Sequence, residues 1–413
     1  MNRDVCDRTG VRVGRRLDVP LWLLVLITLS GTLGMHMFVP ALPMAAHDLG
    51  TSPGEMQLTI SLYIAGLGVG QLVYGPLSDA FGRRRLLMVG LVLYTVAGLV
   101  AALSGGVYSL IAARLLQALG GCAGLVLGRA IVRDTARTGD AVGKLALLNL
   151  MTLVGPGLAP LIGGAIATHA GWRAIFLLLA TMGAVTIACT LRLLPETGRP
   201  TGNFSTATLK RDYGELLRSR VFTGYALGGS CATTAFYAFL AAAPFVFATQ
   251  LHRPATELGL YLGLLMIGVS LGNATTSRLV RYVAAERLLM GANALSLVSA
   301  ALLLLVALTG HLGVVPVVGL MFLFTMGAGA SSPVSMAKAI TVDPHLTGSA
   351  AGLYGFAQMS VGAVCTALVS LGSNPSIAAG VVLTLMAASA RMFFVIAIRR
   401  EREAAAARGP ARA

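Results

Sequence analysis

The segment Gly75-Pro76-Leu77-Ser78-Asp79-Ala80-Phe81-Gly82-Arg83-Arg84-Arg85 separates two apolar stretches, 56–78 and 85–104. A helix of about twenty apolar residues spans the hydrocarbon core of a bilayer, so this charged segment is expected at a membrane surface. Its three arginines favour the cytosolic side. We expect Gly75 and Gly82 to permit a tight turn and close helix approach. Asp79, at a helix end, can pair with a nearby arginine.

The same alternation of apolar stretches and short polar runs extends along the whole chain. Of its 413 residues, 56% are hydrophobic and 11% are charged, whereas soluble domains carry about 25% charged residues. A soluble protein of this length could not hide so much apolar surface. Because backbone groups in lipid must be hydrogen-bonded within their own segment, helices are expected. The sequence therefore predicts an all-α, polytopic membrane protein.

Twelve transmembrane helices are predicted from the apolar stretches. They cover residues 20–43, 56–78, 85–104, 107–131, 145–168, 173–194, 222–248, 258–280, 286–309, 313–337, 347–371 and 375–398.

The lysines and arginines indicate the orientation of these helices. If the N-terminus is cytosolic, 27 of the 31 Lys and Arg residues lie on the cytosolic side and 2 on the opposite side. Such a split follows the positive-inside rule and predicts that both termini are cytosolic. Because the net charge of +15 is distributed by membrane side, it does not indicate a nucleic-acid partner.

A polar, basic linker at residues 195–221 interrupts the regular spacing of the spans. It divides the chain into two six-helix halves, 20–194 and 222–398, with cytosolic tails at 1–19 and 399–413. Such a linker would let the halves rock about a central site.

Several motifs carry a resemblance to a known family. The segment 75–85 resembles the signature loop of the major facilitator superfamily. The segments 39–43, 110–118 and 129–134 are similar to those of its bicyclomycin- and chloramphenicol-resistance (Bcr/CflA) branch of drug/proton antiporters. The resemblance implies a conformational latch formed by Gly75, Asp79, Gly82, Arg83 and Arg84, and a span-four motif that includes Gln117, Arg129, Arg133 and Asp134.

Arg114 lies within the fourth predicted span. Burying its charge there costs at least about 2.5–3.5 kcal/mol on insertion scales. The resemblance implies a cavity-lining group that helps proton or substrate coupling. The alternative is a structural arginine bonded to backbone carbonyl groups.

Span five is rich in glycine and proline, which neighbouring helices can accommodate in a membrane. Its residues Gly155, Pro156, Ala159, Pro160, Gly163 and Gly164 resemble the antiporter motif of exporters, with Ala159-Pro160 where Gly-Pro is usual. The resemblance implies export rather than uptake. The alternative is ordinary close packing by small residues.

His36 occupies the position in span one at which the family usually has an aspartate. By the predicted boundaries, no carboxylate lies deep in a span. Histidine ordinarily titrates near neutral pH, so His36 is our candidate for proton coupling or substrate contact. The alternative is a neutral histidine that lines the transport path.

The absence of a deep carboxylate favours neutral or weakly polar amphipathic substrates of the phenicol or bicyclomycin type. Aromatic and methionine side chains adapt to varied ligands. The candidate cavity residues are Met37, Phe38, Tyr63, Phe236, Tyr237, Phe356, Gln358 and Met359, although each could instead serve helix packing.

We therefore expect a monomeric, proton-coupled drug exporter in the bacterial cytoplasmic (inner) membrane. The alternatives are a facilitator-superfamily transporter of a metabolite, importing or exporting, and a membrane protein without transport activity. An enzyme is not expected, because the sequence shows no metal-ligand cluster and no phosphate-binding Gly-Lys-Ser/Thr loop. The sequence likewise predicts no cofactor and no metal.

Overall fold

The structure, a computed structural model, describes residues 19–135, 157–198, 202, 206–343 and 346–407. Its first half consists of α-helices and one short 3-10 helix. In chain order these are α1 (Leu21–His36), the 3-10 helix Val39–Ala41, α2 (Leu42–Asp48), α3 (Pro53–Phe81), α4 (Arg83–Ala102), α5 (Val107–Thr135), α6 (Gly157–Ala170) and α7 (Trp172–Leu193).

The second half begins after a short amphipathic helix in the linker. Its elements are that helix, α8 (Thr206–Arg218), then α9 (Arg220–Thr234), α10 (Phe236–Phe245) with a π-helical turn (Val246–Gln250), α11 (Ala255–Leu279), α12 (Ala285–Leu308), α13 (Val314–Ile340), α14 (Thr347–Ser370) and α15 (Pro375–Ala407).

Within the described ranges, eleven helical segments are long and apolar enough to cross a bilayer. The shorter apolar helix α6 belongs to the predicted fifth span, whose first residues lie outside the described part of the chain. The predicted all-α fold with twelve spans in two halves is confirmed. Helix α15 continues to Ala407, beyond the predicted end at residue 398. The exact boundaries of the linker and tails stay a prediction.

Span one is interrupted after His36. Helix α1 ends at His36, and Pro40 and Pro43 follow in the next two short helices. Proline has no backbone N–H and disrupts a continuing helix, which accounts for the break. Helix α6 packs directly on it, because a Cβ added to Gly163 would lie 1.9 Å from the Met37 carbonyl oxygen.

The two halves contact each other extensively through α3 and α14. A Cβ added to Gly355 on α14 would lie 1.8 Å from Oε1 of Gln71 on α3, so the helices approach closely there. At the end opposite the arginine-rich loop, Gln57 Nε2 donates to the Ala241 carbonyl 3.2 Å away. Helix α2 also contacts α10 at that end. The charge distribution assigns this joined end to the outside.

Replacing Gly163 with alanine should destabilise the protein, because the added methyl group has no room beside the Met37 carbonyl. We expect a cost of about 1–3 kcal/mol, as for other overpacked sites, measured as a lower midpoint of thermal unfolding. The matched control is Gly291→Ala on α12, where an added Cβ would meet no atom within 4 Å. Equal unfolding midpoints for the two variants would contradict this packing.

Candidate functional site

A central cavity of about 350 Å³ lies between the two halves. Its walls combine apolar, aromatic and uncharged polar side chains with one arginine and one histidine. The lining residues are Thr32, Met35, His36, Leu67, Gln71, Leu125, Val126 and Arg129 from the first half, and Thr233, Phe236, Tyr237, Met266, Val269, Met336, Ala351, Tyr354, Gly355, Gln358 and Met359 from the second. None of these described lining residues is acidic, so the walls suit an amphipathic molecule.

A second cavity, of about 490 Å³, adjoins the first at the cytosolic end. Gln71, Val126, Arg129 and Ala351 line both cavities, so the two are continuous along these residues. Tyr213 of α8 also lines the second cavity. The arrangement provides a path from the cytosolic end to the centre, whereas the opposite end is joined by α2, α3 and α10.

Half of the predicted substrate residues line the central cavity. Phe236, Tyr237, Gln358 and Met359 do so, and Gln358 Nε2 donates to Thr233 Oγ1 at 2.9 Å.

The other four predicted substrate residues do not line it. Met37, Phe38 and Tyr63 are at most 2% exposed, and Phe356 is absent from the lining. After the break at His36, the side chains of Met37 and Phe38 point into the core of the first half. The apolar pattern of the sequence does not predict this direction.

His36 lies on the cavity wall at the last residue of α1. Its side chain is mostly enclosed, and Nδ1 lies 2.9 Å from the Thr32 carbonyl oxygen. Because a carbonyl oxygen only accepts hydrogen bonds, Nδ1 carries the hydrogen, and in the neutral ring Nε2 is the acceptor. This assignment of the tautomer rests on the hydrogen bond. The neutral ring can therefore take up a proton at Nε2.

Arg114 is fully buried within the first half and does not line either cavity. Its Nη1 donates to the Gly34 carbonyl and to Gln117 Oε1, both at 2.7 Å. The guanidinium also lies over the Tyr63 ring, 4.0 Å from its centroid, with Phe38 at 5.6 Å. The expectation of a cavity-lining arginine is wrong, because aromatic rings and backbone enclose the charge.

Arg83 is the centre of a charge cluster at the cytosolic ends of α3, α4 and α5. Its Nη1 lies 2.9 Å from Asp79 Oδ1, and its Nε lies 2.6 Å from Asp134 Oδ2. Nη1 also donates to Ser78 Oγ at 2.6 Å. The Arg83 side chain is 9% exposed, so solvent screens these contacts less than those of a surface ion pair.

The start of α4 is held by Glu196, which the sequence analysis missed. Its carboxylate accepts hydrogen bonds from the backbone N–H groups of Arg83 at 2.8 Å and Arg84 at 3.2 Å. A carboxylate is favourable at a helix N-terminus. Gly82 has φ +100°, and an added Cβ would lie 2.7 Å from Glu196, so glycine is required there. The same expectation for Gly75 is wrong, since an added Cβ would meet no atom within 4 Å.

The span-four motif residues have separate environments. Gln117 binds Arg114 inside the first half, Asp134 binds Arg83, and Arg129 lines both cavities. The side chain of Arg133 lies outside the described part of the structure.

The described antiporter-motif residues pack α6 against span one of its own half and against α11 of the second half. A Cβ added to Gly259 of α11 would lie 2.8 Å from the Pro160 carbonyl oxygen, while Gly163 meets span one. Ala159 and Gly164 are buried. Gly155 and Pro156 lie outside the described residues.

The twelve spans form two helical halves, and a central cavity lies between them. This architecture is that of a multi-pass membrane transporter. Residues 24–366 match the Major Facilitator Superfamily, and the chain belongs to that family. The resemblance predicted from the motifs is confirmed at this level.

Relatives and solved structures agree with this assignment. The chain is 30% identical over 381 residues to the uncharacterized MFS-type transporter YdgK of Bacillus subtilis, covering 90% of this chain and 94% of that one. It is 28% identical over 340 residues to the bicyclomycin resistance protein homolog of Haemophilus influenzae, covering 82% and 85%. A crystal structure of a D-xylose-proton symporter matches with TM-score 0.70 and 16% identity over 90% and 97% of the chains, which shows the fold.

Replacing Arg83 with glutamine should weaken the cytosolic charge cluster, because Asp79 and Asp134 lose the guanidinium that they share. We expect a loss of about 1.5–3 kcal/mol, typical of hydrogen bonds to charged groups, seen as a lower thermal unfolding midpoint and slower transport. Arg85→Gln is the matched control, since Arg85 is exposed. The cluster would have no structural role if both variants unfolded at the wild-type temperature.

Proposed function

We propose that this transporter exports small amphipathic drugs from the cytosol across the cytoplasmic membrane of a bacterium. Transport would use alternating access, with protons moving in the opposite direction, and a single chain would suffice. The observation that carries the proposal is a path from the cytosolic end to a central cavity. At the outer end, contacts between the two halves close this cavity.

The geometry of the two ends supports alternating access. Close packing of α3 on α14 gives the halves a shared surface, and the Gln57–Ala241 hydrogen bond joins them at the outer end. Opening that end requires this bond and the contacts of α2 with α10 to break. The described ion pairs of Arg83 join α3, α4 and α5 of the first half, so they would keep that half rigid during the movement.

The cavity wall supports a drug-like substrate. Methionine and aromatic side chains provide adaptable apolar surface, and Gln71 and Gln358 add uncharged polar groups. The described lining has no carboxylate to attract a lipophilic cation. Neutral compounds of the phenicol or bicyclomycin type fit this surface, and one relative carries the name bicyclomycin resistance protein homolog.

His36 is the proposed proton-coupling residue. Among the titratable side chains on the described cavity wall, it is the one of a type that ordinarily changes its charge near neutral pH. Arg114 holds the carbonyl of Gly34, two residues before His36, and would fix the position of the histidine. A drug that contacts Nε2 of the protonated His36 ring would displace the proton that this atom takes up, which links substrate binding to proton release.

Expression in an efflux-deficient bacterial host should raise survival on chloramphenicol or bicyclomycin, because export lowers the cytosolic drug concentration. The measurement is the inhibitory concentration over a panel of chemically distinct antibiotics, with membrane insertion checked by a C-terminal tag. The control is the Arg83→Gln variant at equal expression. Unchanged survival for every compound, despite correct insertion, would favour transport of an endogenous metabolite instead.

Replacing His36 with glutamine should abolish most of the proton release that accompanies drug binding, because glutamine cannot carry the exchanged proton. The measurement uses purified protein and a pH indicator in weakly buffered solution.

The matched control for this test is His169→Gln on α6. His169 is exposed, and its Nδ1 contacts the Ala165 carbonyl at 2.8 Å, as His36 contacts Thr32. Proton release equal to wild type in the His36 variant would eliminate its role as the proton carrier.

A further inference from the structure

Arg129 occupies an unusual position at the junction of the two cavities. It lies on α5, six residues before the end of that helix at Thr135, and it lines both the central and the cytosolic cavity. Its side chain is exposed, and the surface that it exposes faces the cavities between the halves. Unlike Arg83 and Arg114, Arg129 makes no side-chain hydrogen bond or ion pair with any described residue.

The acidic residues near Arg129 are engaged elsewhere. Asp79 lies on the wall of the cytosolic cavity, but it pairs with Arg83, as does Asp134. The described wall of the central cavity contains no aspartate or glutamate, so Arg129 is its one permanently charged residue. Low-dielectric walls around such a charge focus its field into the cavity. The wall of the central cavity therefore carries a positive charge, while Asp79 lies on the wall of the adjoining cytosolic cavity.

The surroundings of Arg129 are suited to an amphipathic ligand. The guanidinium offers five N–H donors in a planar fork, which matches a carboxylate with two parallel hydrogen bonds. Gln71 also lines both cavities. Deeper in the central cavity, Phe236, Met266 and Met359 provide an apolar surface. A molecule with a carboxylate at one end and an apolar body would satisfy both regions.

We propose that Arg129 is a specificity-determining residue that binds the carboxylate of amphipathic organic anions during transport. This inference rests on the proposed function and adds a substrate class to it. Anions gain the charge-assisted contact, neutral compounds bind without it, and lipophilic cations are repelled. The selectivity order is therefore anion, then neutral compound, then cation.

Three amphipathic probes of different charge separate these classes. Fusidic acid is a monoanionic carboxylate, chloramphenicol is neutral and ethidium is a cation. Binding to the purified full chain is measured by calorimetry or intrinsic fluorescence, and efflux is measured in cells that lack other exporters. Wild-type protein binds fusidate more tightly than chloramphenicol and ethidium most weakly.

The variant Arg129→Gln removes the charge but keeps hydrogen-bonding capacity. Its fusidate affinity relative to chloramphenicol falls about tenfold, as expected for loss of a charge-assisted contact. Arg129→Lys keeps the charge and recovers part of that ratio. The matched control is Arg281→Gln, which removes a charge from an exposed site in the turn between α11 and α12 and leaves the ratio at the wild-type value.

The outcomes separate this inference from the proposed function. Export of chloramphenicol without binding of fusidate, or an equal loss of both ligands in Arg129→Gln, overturns the role of Arg129 and leaves drug export intact. Ethidium binding as tight as fusidate binding overturns it as well. Absence of binding and export for all three probes overturns both proposals. If Arg129→Gln does not fold, the role of Arg129 is tested by the wild-type selectivity order and by the fusidate affinity of Arg129→Lys relative to chloramphenicol.

Discussion

The position of the break in span one is the constraint on which the site depends. Three contacts from other helices hold the end of α1: Arg114 donates to the Gly34 carbonyl, Tyr63 Oη donates to the Gly31 carbonyl at 3.0 Å, and Gly163 leaves room for the backbone at Met37. Because the helix stops there, His36 faces the cavity while the next residues enter the core. The segment beyond the break then reaches α10 and joins the halves on the outer side.

Each half is also tied at its cytosolic end by charged groups. In the first half Arg83 joins three helices through two aspartates. In the second half Glu401 accepts hydrogen bonds from Lys338 at 2.6 Å and Tyr225 at 2.5 Å, linking α15 to α13 and α9. Each of these described contacts joins helices of the same half. They tie the helices of each half together, whereas the α3–α14 contact and the outer-side contacts join one half to the other.

Much of the fold could be predicted from the sequence, but only part of the site. Apolar stretches predict the positions of the spans, and the distribution of arginines predicts their orientation, because the bilayer constrains every residue of a span. Cavity residues such as Tyr237 and Met359 have no comparable signal, since a side chain in the core and one on the cavity wall have the same composition. Phe38 and Tyr63 were misplaced for that reason, and Glu196 was missed because it meets α4 only through tertiary folding.

The sequence by itself determined the membrane-spanning class, the number and orientation of the spans, and the family, because each follows from local hydropathy, charge or motif. It also identified His36 as an unusual residue in span one. Only the tertiary structure decided that Arg114 is enclosed by aromatic rings while Arg129 faces the cavity. Both are arginines on the same helix, and their difference depends on which neighbouring helices cover each face. That covering is a property of packing between distant segments, which local sequence does not encode.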